Sequence, residues 1–190
     1  SAFGNALYFS ANDGSTGAEL WKTDAAGTVL IQDIAPGSTG SAPGRFTCCW
    51  LGDRTLTFFV ASTPANGAEL WVTDGTTAGT ALLLDIAPGA TGAGITDLAG
   101  CNDRLLFTAS DGVSGKEIWS SDGTSAGTML LRDIGPGAAN GIAAAGGSFA
   151  RCGGRVFFVA DEGTNGAALW VSDGTTAGTS QVADSEPGRS

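Results

Sequence analysis

Histidine is absent from the 190 residues, and methionine and tyrosine occur once each. Without histidine there is no Ser-His-Asp triad and no Cys-His nucleophile pair. Cys48, Cys49, Cys101 and Cys152 form no Cys-x-x-Cys motif. A zinc site made from them would need thiolates from three distant segments, so metal-ligand spacing is lacking. No apolar run reaches the ~18 residues of a membrane-spanning helix, and no membrane insertion is expected. No targeting segment is visible either: Ser1 opens directly into a strand-like pattern, as in a mature or excised chain.

Positive charge is scarce as well. Nine Lys and Arg face 19 Asp and Glu, a net charge of −10. That field repels phosphate backbones and anionic membranes, which argues against nucleic acid as a partner. The acids are spread one or two per turn rather than in a block, as suits the solubility of a turn-rich protein. For the cysteines, disulfides in an oxidising compartment are the expectation. A bridge between neighbours Cys48 and Cys49 would be strained, so each is expected to join Cys101 or Cys152.

What is abundant is glycine, 31 residues, alongside 42% hydrophobic residues. Glycine at this density excludes long helices, at about 1 kcal/mol for each interior position. The glycines punctuate a fourfold repeat. Ala-Glu-Leu-Trp at 18–21 recurs at 68–71, as Lys-Glu-Ile-Trp at 116–119 and as Ala-Ala-Leu-Trp at 167–170. Each tryptophan is followed by a turn (TDAAGT, TDGTTAGT, SDGTSAGT, SDGTTAGT), an apolar run and a second turn (QDIAPG, LDIAPG, RDIGPG, ADSEPG).

The runs LYFSA (7–11), TFFVA (57–61), LLFTA (105–109) and VFFVA (156–160) are short, aromatic or β-branched and bounded by turn formers, hence strands. The Glu-Leu-Trp segments and the runs starting at Thr28, Thr80, Thr128 and Thr179 supply two more per repeat. A Gly-rich leading strand precedes them around 46–51, 95–100 and 147–152. Four antiparallel strands every ~50 residues, apolar on both faces, predict an all-β propeller of four blades. One domain over 1–190 is expected, with repeats at 1–45, 46–94, 95–146 and 147–190. The first repeat has no room for a leading strand, since only Ser1 to Asn5 precede Ala6. Fifteen strands rather than sixteen imply that one blade is short a strand, that a second chain completes the ring as in a homodimer, or that this is a piece of a longer array.

The pattern Glu-Leu-Trp-x-x-Asp-Gly-Thr resembles a family of bacterial repeats named for it. ELWVTDGT at 69–76 fits fully and EIWSSDGT at 117–124 differs only by isoleucine. The departures are Ala25 and Ala26 in the first repeat and Ala168 in the last. The resemblance covers essentially the whole chain. It implies a secreted or surface-exposed bacterial protein of propeller type and implies no reaction.

Trp21, Trp71, Trp119 and Trp170 recur at strand centres, so each is read as the core residue of its blade. Asp24, Asp74, Asp122 and Asp173 open the turns, where Asp accepts from backbone N–H groups and Gly supplies positive φ. Calcium would suit such carboxylates, but no EF-hand or nonapeptide spacing supports it, so no cofactor is expected and no metal is assigned. Glu19, Glu69 and Glu117 share a strand face with the tryptophans, and Arg54, Arg104 and Arg155 recur as their expected partners in a polar clamp between blades. Ligand candidates are residues that break the repeat: Trp50, Asp97, Asp103, Asp161 and Glu162. Loops 37–45, 89–94 and 137–147 vary most, so specificity is expected there. The leading expectation is a non-catalytic, extracellular or cell-surface propeller that binds a glycan or protein. The alternatives are a self-assembling segment of a longer array and a glycosidase using two carboxylates.

Overall fold

The computed structural model describes residues 2–3, 5–143 and 149–183. Among them there are sixteen strands and no helix. Sheet one comprises β1 (Ala2–Phe3), β2 (Ala6–Asn12), β3 (Ala18–Asp24) and β4 (Gly27–Gln32). Sheet two comprises β5 (Gly44–Leu51), β6 (Arg54–Thr63), β7 (Gly67–Thr73) and β8 (Ala81–Leu84). Sheet three holds β9 (Leu98–Cys101), β10 (Arg104–Ser110), β11 (Lys116–Ser121) and β12 (Met129–Arg132). Sheet four holds β13 (Ala150–Cys152), β14 (Arg155–Asp161), β15 (Ala167–Ser172) and β16 (Ser180–Ala183). Each is an antiparallel meander in sequence order.

Sheet one corrects the expected strand count. β1 pairs Ala2 with Leu7 and Phe3 with Ala6, so the first repeat has its leading strand. Two residues are too short to show an alternating pattern in sequence, yet they cover the edge of β2. The homodimer argument from a missing strand therefore loses its premise.

Every sheet carries a bulge at its tryptophan. Leu70 faces Leu84 and Trp71 faces Leu82, which leaves Leu83 as the extra residue. The same irregularity lies beside Trp21, Trp119 and Trp170. A bulge turns an additional side chain toward one face, and the extra Ile31, Leu83 and Leu131 are all buried.

The chain divides into two compact units, one of residues up to Cys48 with Arg54–Ala93, the other of Cys49–Asp53 with residues from Gly94 onward. In the first, Tyr8, Leu20, Ile31, Phe59 and Trp71 pack between sheets one and two. Phe59 and Trp71 have centroids 6.4 Å apart. In the second, Leu106, Ile118, Leu131, Phe158 and Trp170 pack between sheets three and four. Full burial of such side chains contributes about 1.5–3 kcal/mol each. Sheets also meet through their Asp-Gly-Thr turns. Thr77 donates its hydroxyl to the Ile31 carbonyl at 2.7 Å. In the second unit Arg132 donates to the Thr179 carbonyl at 3.0 Å and stacks 5.2 Å from the Trp170 ring centroid.

The cysteines correct a second expectation: all four are thiols, and no disulfide is present. Adjacent residues of a strand point to opposite faces, which separates Cys48 from the buried Cys49 on β5. Cys101 is buried with its Sγ 3.1 Å from the Gly154 carbonyl, whereas Cys152 is exposed. Burial pushes the Cys48 and Cys101 thiols up.

Close backbone crossings explain two glycine pairs. Gly67 (φ 65°) and Gly92 (φ 74°) cross so tightly that a Cβ on Gly92 would collide with the Ala68 backbone. Gly17 and Gly40 repeat this in sheet one. Gly92→Ala should therefore lower unfolding stability by about 2–4 kcal/mol in urea titration, since strain and collision add. Gly89→Ala should cost less, because that site (φ 107°) has open space around it.

Candidate functional site

Three of the sheets bury a glutamate. Glu19, Glu69 and Glu117 are fully buried. The Glu19 carboxylate accepts from the backbone N–H of Ile34 (3.0 Å), Ala35 (3.1 Å) and Ser41 (2.8 Å), and from the Ser41 hydroxyl. Glu69 accepts from Ile86 and Ala87, both at 3.2 Å. Glu117 accepts from Ile134 (2.9 Å), Gly135 (3.0 Å) and Gly141 (2.6 Å).

The expected arginine clamp is thus replaced by a brace on the loop after the fourth strand. The reason is desolvation: a buried carboxylate needs partners, and N–H groups of the Asp-Ile-x-Pro-Gly turn, joined by Ser41 beside Glu19 and by Gly141 beside Glu117, supply them. Arg104 and Arg155 instead lie near the turn aspartates; the Thr124 and Thr175 hydroxyls chiefly hold Asp122 and Asp173 below the usual carboxylate range, and the arginine charges add to this. Ala168 takes the glutamate's place in β15, and the ADSEPG turn from Asp184 onward lies outside the described residues.

Asp74, Asp122 and Asp173 lie at identical places in their turns. Asp74 accepts from the Thr76 backbone (2.9 Å) and hydroxyl (2.7 Å), and Thr76 in turn accepts from Gly79 at 3.0 Å. These bonds, with the threonine hydroxyl first, hold Asp74 below its ordinary range. Asp24 caps a shorter turn through Ala26 at 2.8 Å. Trp21, Trp71, Trp119 and Trp170 have buried indole N–H groups without hydrogen-bond partners, which commits the rings to packing.

The residues that break the repeat do not form one cluster: Asp103 bonds the turn that follows Trp50, and Asp161 and Glu162 sit in a different turn. Trp50 is 67% exposed near the end of β5. Asp97 accepts from the hydroxyls of Thr96 (2.9 Å) and Thr108 (3.3 Å). Asp103 precedes β10 and accepts from Gly52 N–H at 3.3 Å. Asp161 ends β14, capping Gly163 at 2.8 Å, and Glu162 holds Thr164 and Asn165 in the next turn. Asp103 and the Asp161–Glu162 pair thus lie at opposite ends of equivalent strands, β10 and β14.

A cleft of about 260 Å³ opens in the first unit. Ala35, Pro36, Thr39 and Gly40 form one wall, from the braced loop, and Ser62, Thr63 and Pro64 the other. Both walls are fixed. Ser62 N–H donates to the Ser41 carbonyl at 2.9 Å, and Ala42 N–H to that of Ala18 at 2.9 Å. Asn66, beside the second wall, donates to Asp85 at 2.7 Å. The lining offers three hydroxyls and two prolines and no titratable side chain. The variable loop 37–45 contributes Thr39 and Gly40 to it; of the other two, 89–94 runs beneath the Gly67 crossing, and residues 144–147 of 137–147 lie outside the described residues.

The sequence matches no family model and no curated protein. A solved structure is similar. It is that of a puromycin hydrolase mutant complexed with PGG, a β-propeller, with a TM-score of 0.56 and 14% identity. The match covers 97% of this chain and 28% of that one, so the chain spans about a quarter of its length. At this identity the likeness speaks for the fold alone: an all-β, β-propeller-like arrangement of four-stranded sheets.

Proposed function

We propose that the chain is a non-catalytic binding module of β-propeller type, four blades long, working outside the cell or at its surface. Its ligand is a neutral glycan or an uncharged protein segment. The observation that supports this reading is the cleft between Pro36 and Pro64. Its walls are tied to each other by the Ser62–Ser41 hydrogen bond without any ligand, which limits the ordering cost of binding. Its polar groups are hydroxyls and backbone, suited to orienting a neutral ligand, with no carboxylate, amine or thiol in the lining. The net charge of −10 favours neutral or basic partners over acidic ones. The resemblance to the Glu-Leu-Trp-x-x-Asp-Gly-Thr repeats points the same way on localisation.

A glycan array followed by pull-down from extracellular protein mixtures tests the reading. Binding to either class is expected, and Thr39→Trp, which plugs the cleft from an exposed position, should weaken it at least tenfold with an unchanged unfolding temperature. Binding to neither class, or binding indifferent to Thr39→Trp, would reject the cleft as the site.

A further inference from the structure

The second unit holds a separate notch of about 180 Å³ where sheet three meets the Asp-Gly-Thr turn of sheet four. Arg104, Ser120, Met129 and Leu131 face the Gly174–Thr176 turn across it. The corresponding junction of the first unit is filled. There Tyr8 lays its hydroxyl over Gly75, 2.5 Å from where a Cβ would stand, and Lys22 Nζ reaches the Gly75 carbonyl at 3.3 Å. Tyr8 pairs with Lys22 in the register of sheet one, and Leu106 with Ser120 in that of sheet three. Two shorter side chains, Leu106 for Tyr8 and Ser120 for Lys22, thus open the notch.

Arg104 enters the vacated space. Its Cδ lies 3.3 Å from the Cβ position of Gly174. It donates to Ser120 Oγ at 3.5 Å, and its charge acts on the Asp122 carboxylate of the neighbouring turn, although no ion pair within 4 Å forms among the described residues. Ser120, itself buried, spends its hydroxyl on the Gly174 carbonyl at 3.3 Å. A guanidinium has five N–H donors in a planar fork, so most remain without a protein acceptor beside a cavity with an apolar floor.

We propose that this notch binds a small carboxylate, its two oxygens on the Arg104 fork and a short apolar body against Met129 and Leu131. The bidentate match of guanidinium and carboxylate selects this chemistry over a spherical anion. The site is independent of the Pro36–Pro64 cleft and stands or falls without it.

The test is titration of the ¹⁵N-labelled full chain with sodium butyrate, with butanol and inorganic phosphate as comparison probes. Saturable shifts are expected at Arg104 and Gly174–Thr176 with butyrate. Arg104→Lys should weaken binding at least tenfold, because it keeps the charge and loses the fork. Leu106→Tyr with Ser120→Lys, which rebuilds the plug of the first unit, should abolish it while the protein remains folded by its dispersed spectrum. Absence of saturable shifts would overturn the site. So would equal saturation by phosphate or butanol, or an affinity unchanged in either variant.

Discussion

Glu19→Ala should lower the stability of the first unit by about 4 kcal/mol, read as a shift in the urea unfolding of β2, β3 and the loop at 34–42. The carboxylate is fully buried and takes three backbone N–H donors and one hydroxyl. Removing it strands those donors, and each buried donor left without an acceptor costs about 1–3 kcal/mol. Some of this is recovered by water entering the truncated space and by no longer desolvating a charge. Glu19→Gln keeps one acceptor oxygen and should lose about half as much. The effect reaches the cleft, because Ser41 is held by Glu19 and its carbonyl receives Ser62 from the opposite wall. Ligand binding at the cleft should therefore weaken in Glu19→Ala even where the unit remains folded. Equal stability of Glu19→Ala and the unaltered chain would remove the brace from the account.

The brace also marks where sequence reading stops. Strand placement was legible because aromatic and β-branched runs between Asp, Asn and Gly have few other solutions, and the tryptophan at each strand centre indexes the repeat. The partner of a charged residue is different. Glu19, Glu69 and Glu117 invite a search for arginine, and Arg54, Arg104 and Arg155 recur conveniently. The acceptors' true partners are backbone N–H groups, which every residue but proline carries and no residue letter advertises. The only signal was the Asp-Ile-x-Pro-Gly turn that follows the strand after each glutamate. The cysteines failed similarly: spacing along the chain does not reveal that Cys48 and Cys49 face opposite sides of one strand. The cleft was only half legible. Loop 37–45 was nominated for its variability, but its second wall, Ser62 to Pro64, belongs to a hairpin of the regular repeat. The Arg104 notch depends on a pairwise difference, Tyr8 with Lys22 against Leu106 with Ser120, visible only once the register aligns them.

The second large effect expected is on pH dependence. Burial pushes Glu69 up to about 7 from its ordinary 4.5, with the neighbouring charge of Asp85 adding to it and the N–H groups of Ala87, Ile86 and Ala93 opposing it. The folded state then binds more protons than the unfolded state between those two values. Stability is accordingly full below about 4.5 and falls as the pH rises to about 7, after which this contribution is flat. At about 1.4 kcal/mol for each pH unit, the loss is roughly 3 kcal/mol. Glu117 is raised for the same reason and adds in the same direction. Denaturant unfolding at pH 4.5, 6 and 8 reads the slope, and its difference from Glu69→Gln isolates this group from the general repulsion of an acidic chain. The first sheet supplies a sharper variant. Ser41 gives Glu19 a hydroxyl, and the matching position beside Glu69 is the buried Ala93. Ala93→Ser should donate to the Glu69 carboxylate, draw its pKa down and remove most of the fall between pH 4.5 and 7. If the hydroxyl leaves the slope unchanged while Glu69→Gln abolishes it, the serine does not reach the carboxylate as Ser41 does. If neither changes the slope, Glu69 is not the group that titrates.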